Sequence, residues 1–456
     1  MQTKAADVSR PTRVAIFGAG PSGLFLADAL LKANPGPLSI DIIDRLPAPY
    51  GLVRYGVAPD HPKIKSVINT FVKTFDDERV RFLGNVAFGV DLMLEDVQRH
   101  YDVAAYTVGA AVDRMLGIPG ENLHGNFSST EFVAWYSGHP DQHGRTIALD
   151  AEAVAVIGVG NVAIDVTRIL AKHVDELRTT DMPEYVLDEL AVSRVRDIYL
   201  IGRRGPAQAK FTTPELRELG EIPNADVIID PKALELDEAS AQTVAAKSAL
   251  QRNLDVLREL AARKPEGRPR RIHLVFLASP VEIKGTDRVR EIVLERNRLD
   301  ERENAVGTGA KDEIAVGMVF RAVGYRGIPL PGLPFDARAN VITNQAGRVV
   351  DENGAHLSGQ YVAGWIKRGP SGVIGTNKAD AAETARAIVE DLPALPRATE
   401  GSEAALDALL QSRGVRVCLW DDWLAIDRHE RELGSKHGRE ERVKITDFAS
   451  LLAGKG

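Results

Sequence analysis

The chain predicts an α/β fold of two parallel-sheet units, one inserted within the other, and three observations carry that expectation. Gly18-Ala19-Gly20-Pro21-Ser22-Gly23 sits between the apolar run Val14 to Phe17 and a helix-like run from Leu24 to Leu31. A second turn, Gly158-Val159-Gly160-Asn161-Val162-Ala163, follows the apolar run Val154 to Ile157 and again precedes a helical pattern. Farther on, Arg321-Ala322-Val323-Gly324-Tyr325 echoes Thr107-Val108-Gly109, as if the chain were crossing back, and a domain inserted into another needs two crossings.

A G-x-G-x-x-G/A turn between a strand and a helix marks a Rossmann-like dinucleotide-binding unit. The first glycine permits the sharp turn, the second lets backbone amides approach a pyrophosphate, and the third lets helix and strand pack closely. The phosphates then meet a helix N-terminus. In the first unit a strand at Ile40 to Ile43 ends in Asp44, 21 residues past Gly23. That is near the spacing of about 20 at which an acid accepts hydrogen bonds from an adenosine ribose. In the second unit the strand Ile198 to Gly202 ends instead in Arg203 and Arg204. A guanidinium pair suits a 2′-phosphate, which an acid would repel, so NADP is expected there. Ala163 and Arg203 are 40 residues apart, about double the usual distance, which predicts an insertion or second helix around Asp175 to Arg194.

The remaining elements follow from pattern. Leu46 to Pro62 is a long loop rich in turn formers, the kind that usually carries function. Ile64, Val67, Ile68, Phe71, Val72 and Phe75 form the stripe of one amphipathic helix, Ile64 to Phe75. Strands are expected around Val80 to Leu83 and at Tyr101 to Val108, and a helix through Leu250, Leu254, Leu257 and Leu260. Three strand-like runs, Ile272 to Leu277, Val289 to Leu294 and Gly317 to Val323, read as an antiparallel addition completing the second domain. Tyr361 to Asn377 reads as a strand running into a glycine-rich turn, with a helix from Lys378 to Glu390 supplying another N-terminus for a cofactor. Leu419, Trp420, Trp423, Leu424 and Ile426 read as a core-facing helix against the first domain.

Composition narrows the chemistry. Over 456 residues, 57 Lys and Arg against 64 Asp and Glu give a formal charge of -7, which speaks against whole-chain attraction to nucleic acid or an anionic membrane. Cys418 is the single cysteine, so an internal disulfide, a C-x-x-C redox pair and a cysteine-ligated cluster are excluded, and no metal site is expected. Met1 to Arg13 is polar, without the apolar core of a signal peptide, and no run of about 18 apolar residues occurs. A cytoplasmic protein without membrane insertion is expected.

Three further stretches carry a resemblance. Gly-Leu-Val-Arg-x-Gly-Val-Ala-Pro-Asp-His-Pro at 51–62, Gly-Arg-Arg-Gly-Pro at 202–206 with Phe211 to Glu218 behind it, and Gly-Trp-Ile-Lys-Arg-Gly-Pro-Ser-Gly-Val-Ile at 364–374 resemble ferredoxin–NADP reductases of the adrenodoxin reductase type. The resemblance runs from about Arg13 to about Leu392. It implies a FAD-binding domain made of 11–112 and 325–392, an NADP-binding domain at 113–324 inserted into it, and a C-terminal extension, 393–456, packing on the FAD domain. It also implies that Gly18, Ala19, Gly20, Gly23, Asp44, Leu52, Trp365, Gly372, Val373 and Ile374 contact FAD. Arg114, Asn161, Val162, Arg203, Arg204 and Glu215 would contact NADP, with Gly372 shared near the nicotinamide. His61 and Glu218 match a His and Glu pair that the family places near the flavin and nicotinamide, where His61 would help steer protons. Asp44 stands where many relatives have Glu, and little change is expected because the charge is kept. Gly364-Trp365 replaces the Gly-Asp usual in thioredoxin-reductase-like and glutathione-reductase-like flavoproteins.

The activity implied is hydride transfer from NADPH to FAD, followed by one-electron transfers to a ferredoxin-type iron–sulfur protein. A disulfide reductase is set aside for want of a cysteine pair. A flavoenzyme serving a quinone or other small acceptor, or a non-catalytic dinucleotide sensor, stays open. With the whole chain negative, an acidic partner would need a local basic patch, expected to include Lys367 and Arg368 with Arg204 and Arg217.

Overall fold

The computed structural model describes residues 10–453; residues 1–9 of the polar N-terminal stretch lie outside that range. Two compact units share the chain. One takes both ends, up to Val112 and again from Tyr325, and the other is Asp113–Gly324.

In the first unit, β1 (Thr12–Phe17), β2 (Leu38–Asp44), β3 (Val80–Gly84) and β4 (Val103–Tyr106) form a parallel sheet with α1 (Pro21–Ala33) following β1. The strand His356–Val362, from the far end of the chain, adds in parallel beside β4, pairing Tyr361 with Ala105. The order across this part is His356–Val362, β4, β1, β2, β3. A strand buried on both faces needs apolar residues at every position. β1 meets this need: Val14 and Ile16 enter one core with Leu24 and Leu26, while Ala15 and Phe17 enter the other with Leu83 and Tyr106. Trp423 and Ile426, on the helix Trp420–Lys436, are each 1% exposed within the first of these cores.

The second unit holds six parallel strands in the order Asn126–Ser128, Met318–Arg321, Ala153–Ile157, Asp197–Ile201, Arg270–Val275, Ala225–Ile229. The doubled spacing after the second turn is filled by two short helices, Val174–Leu177 and Glu184–Ala191. Together the two units form the two-Rossmann arrangement, the second inserted in the first.

Three expectations need correction. Of the three runs read as an antiparallel addition, only the middle one is antiparallel: Glu291–Leu299 pairs with Ala278–Lys284 and Ala305–Ala315. Arg270–Val275 and Met318–Arg321 lie in the parallel sheet instead, with Ile272, Leu274, Met318, Val319 and Phe320 buried, which suits strands covered on two faces. The helix read over Ile64 to Phe75 divides into Pro62–Lys65 and Ile68–Phe75. The Ser66 hydroxyl donates to the Lys63 carbonyl at 2.7 Å, an alternative to the helical ladder, and Ile64 is 41% exposed rather than part of the covered stripe. The strand read from Tyr101 to Val108 is confined to Val103–Tyr106. Among the described residues no helix is long and apolar enough to cross a membrane.

Candidate functional site

In the first unit the glycine turn leaves β1 with Gly18 at φ +113°, a backbone that favours glycine, and the Gly18 amide donates to the Ile43 carbonyl at 2.7 Å. A side chain on Gly23 would stand 2.1 Å from the Gly18 carbonyl oxygen, so that glycine is demanded by packing. Gly20 differs. A Cβ there would meet only the Gly51 Cα, at 3.8 Å, an ordinary contact, so protein packing does not demand glycine at this position beside the N-terminus of α1.

Asp44 sits under this turn at the end of β2. Its carboxylate accepts the Ala19 amide at 2.8 Å and the Leu46 amide at 2.9 Å. Burial nevertheless pushes its pKa above the usual carboxylate value, since loss of water outweighs the two amides. A carboxylate has about four acceptor sites, so capacity for ribose hydroxyls remains.

The loop after β2 closes on the turn. The Tyr50 amide donates to the Ala19 carbonyl at 2.8 Å, Tyr50 itself is at φ +82°, and Gly51 follows at φ +48° with its Cα against Gly20. One helical turn, Leu52–Tyr55, then presents Leu52, 47% exposed. His61 is half-buried where the short helix Pro62–Lys65 begins.

The returning segment reaches the same helix start. Gly364 lies at φ +79° against Ser22, where a Cβ would be 2.1 Å from the Ser22 hydroxyl. That hydroxyl donates to Asn377 at 3.0 Å, and Arg368 donates to the same oxygen at 2.8 Å. Two helix N-termini, of α1 and of Thr376–Asp391, are thereby joined. Trp365 stacks on Tyr325 at 5.5 Å and donates its indole N–H to the Ser371 carbonyl. Gly372 is at φ +80° against Thr376, Val373 is 60% exposed, and Ile374 is half-buried beside it in sequence. Ser22, Tyr50, Gly51 and Asn377 were not singled out from sequence. All four stood within stretches already noted, but Ser22, Tyr50 and Asn377 act through contacts with residues far along the chain.

Lys367 corrects the expected basic patch. It is 7% exposed, with its ammonium 3.2 Å from the partly buried Asp380 and 2.6 Å from the exposed Glu383, so it faces inward as part of an ion cluster. The carboxylates on the following helix draw it inward.

In the second unit Gly158 is at φ +138°, its amide donating to Ile201, and a Cβ there would be 2.3 Å from the Ala322 carbonyl. Gly160 again has nothing within 4 Å of an added Cβ. Ala163, the third position, is buried, and Val162 is half-buried. Asn161 accepts the Thr212 amide at 2.8 Å, and the Lys210 amide donates to the Val159 carbonyl at 2.8 Å, so segment 210–212 is fastened to the turn. Arg203 is exposed and Arg204 half-buried, and among the described residues neither side chain has an acidic partner. Arg114 is exposed. Glu215 lies in the first turn of Thr213–Leu219 with one carboxylate oxygen buried and unbonded within the described residues. Glu218, on the same helix, pairs at 3.1 Å with Arg168, which is 1% exposed and also holds Asp165. His61 and Glu218 belong to different units, and Glu218 is paired with Arg168 of its own.

Two glycine turns, each opening a helix beside a parallel sheet and each with its middle glycine unobstructed, define a two-Rossmann oxidoreductase. No family model matches the chain. It is 44% identical over 452 residues to the NADPH-ferredoxin reductase FprA of Mycobacterium leprae, covering 96% of this chain and 97% of that one. It is 40% identical over 463 residues to the mitochondrial NADPH:adrenodoxin oxidoreductase of Arabidopsis thaliana, covering 98% and 95%. Among solved structures, Mycobacterium tuberculosis FprA in complex with NADPH matches with a TM-score of 0.91 at 43% identity, covering 97% and 99%. The chain belongs to the NADPH-ferredoxin and adrenodoxin reductase family.

Proposed function

We infer that this chain is an NADPH-ferredoxin reductase carrying FAD in the unit built from both chain ends and taking NADPH in the inserted unit. The observation that carries this reading is the pair of open glycines, Gly20 and Gly160, each at a helix N-terminus where backbone approach to a pyrophosphate is unobstructed. Bound FAD supplies the conversion between the two-electron hydride of NADPH and the single electrons that an iron–sulfur protein accepts.

The residues fit those groups. Gly18, Ala19, Gly20 and Gly23 shape the pyrophosphate turn, and Asp44 has acceptor capacity left for the ribose. Leu52 and Val373 present apolar surface that a flavin ring would cover, and Trp365, Gly372 and Ile374 frame it. Asn161 and Val162 begin the second helix, Arg203 and Arg204 supply cationic donors for a 2′-phosphate, and Arg114 and Glu215 complete the NADP contacts. His61 steers protons, while Glu218 holds Arg168 and so keeps its helix in place. The partner is a small acidic iron–sulfur protein of the ferredoxin type, and of the expected patch Arg217, which is exposed, attracts it without Lys367. The site of action is the cytoplasm.

The test is direct. Purified protein releases FAD on heating and reduces cytochrome c with NADPH only when ferredoxin is added. Arg204→Ala weakens NADPH by one to two decades, from about 1.5–3 kcal/mol per charged hydrogen bond, and leaves NADH unchanged. Equal loss of both coenzymes would remove the 2′-phosphate assignment. Ferredoxin-independent rates would point to a quinone or other small acceptor, and no turnover at all to a sensor.

A further inference from the structure

Arg54 lies in the helical turn Leu52–Tyr55, in the same loop that closes on the first glycine turn. It is 3% exposed, and its guanidinium grips both oxygens of Glu430, Nη1 donating to Oε2 at 2.9 Å and Nη2 to Oε1. Glu430 is wholly buried on the helix Trp420–Lys436, more than 370 residues along the chain. Its remaining acceptor capacity is taken as well: the Ile445 amide donates to Oε1 at 2.8 Å, and Arg442 reaches Oε2 at 3.3 Å. The Lys444 ammonium donates to the Arg54 carbonyl at 3.0 Å, and the Arg54 guanidinium lies 5.0 Å over the Trp423 ring. Tyr50 meets Trp423 edge-on at 5.9 Å.

A buried ion pair is retained at a desolvation cost, and fixing one geometry is its best-attested use. Here there is a geometry in need of fixing. Tyr50 holds φ +82°, which a bulky residue rarely adopts, and such a backbone persists only where its surroundings over-determine it. On its inner side this stretch gives the Tyr50 amide to Ala19 and the Gly51 Cα to Gly20. On its outer side it is held by Glu430, Trp423 and Lys444.

We propose that Glu430 is a positioning residue for the FAD site: through Arg54 it keeps Tyr50, Gly51 and Leu52 against the first glycine turn, and so sets how tightly flavin is held and in what environment. The proposal rests on the FAD reading given above. It makes the C-terminal segment a functional part of the site.

Glu403 provides the control. It belongs to the same C-terminal part but pairs with Ser39 at 2.7 Å and Arg81 at 3.3 Å, at the beginnings of β2 and β3, the ends of the strands opposite the glycine turn. Glu430→Gln, Glu430→Asp and Glu403→Gln are compared with wild type by titrating apoprotein with FAD and by measuring the flavin midpoint potential and visible spectrum of the holoprotein. Both Glu430 variants are expected to weaken FAD at least tenfold and to shift the potential and spectrum. Glu403→Gln stays within twofold in affinity, with an unchanged spectrum, even if its melting temperature falls. If the Glu430 variants keep wild-type FAD affinity and potential, the proposal is overturned, whatever their melting temperature. Should Glu430→Gln fail to fold, Glu430→Asp, which keeps the charge, decides by the same criterion. Wild-type protein that takes up no FAD overturns the underlying reading too, and the wild-type titration alone reveals it.

Discussion

The Ala19 amide donates to the Asp44 carboxylate at 2.8 Å, so the acid that ends β2 holds the middle of the glycine turn. Its other oxygen takes the Leu46 amide and starts the loop that returns over that turn. Asp44→Asn keeps one acceptor oxygen but turns an NH₂ group toward one of the two amides. An unpaired buried donor costs about 1–3 kcal/mol, so denaturant unfolding is expected to show a loss of that size together with weaker FAD retention. Unchanged stability would mean that the two hydrogen bonds do not hold the turn.

The two glycines of the first turn separate folding from binding. Gly23→Ala forces a Cβ to 2.1 Å from the Gly18 carbonyl, overpacking that costs about 1–3 kcal/mol. Gly20→Ala meets no protein atom closer than 3.8 Å, so its apoprotein is expected to melt like wild type while losing FAD affinity. Calorimetry of the apoproteins beside FAD titrations checks both. A Gly20→Ala protein with normal affinity would place the pyrophosphate elsewhere.

Lys367→Glu is expected to act on stability before it acts on any partner. The change sets a third carboxylate beside the partly buried Asp380 and the exposed Glu383; breaking a fully buried pair costs about 3–5 kcal/mol, and solvent at Glu383 lowers the loss below that. A variant that melts like wild type yet raises the ferredoxin Michaelis constant would restore Lys367 to the docking surface.

Acid should loosen the C-terminal segment through Asp96. Hydrogen bonds from Arg413 draw its pKa from 3.8 down to about 2, helped by the Met93 amide and Arg99 against the opposing effect of burial. A depressed folded-state pKa contributes stability that is full above about pH 4 and is lost as pH falls through about 2; solvent at Arg413, a third exposed, keeps it below about 2 kcal/mol. The stability gap between wild type and Arg413→Ala should therefore narrow from pH 5 to pH 2. A constant gap would show that the ion pair does not set it.

Both glycine turns, the strands on either side of them, Asp44 and the paired arginines were legible in the chain because they rest on local rules: backbone freedom at Gly18 and Gly158, apolar runs for doubly covered strands, and charge at a strand end. The same local reading misassigned Ile272 to Leu277 and Gly317 to Val323, because a short apolar run is equally suited to parallel or antiparallel neighbours, and pairing partners such as Asp197–Ile201 and Ala153–Ile157 lie far off in sequence. It also left Lys367 on the surface and gave Glu430 no role. A charge reads as solvated until the opposite charge that buries it is known, and Asp380, Glu383 and Arg54 are brought to those two residues only by tertiary packing.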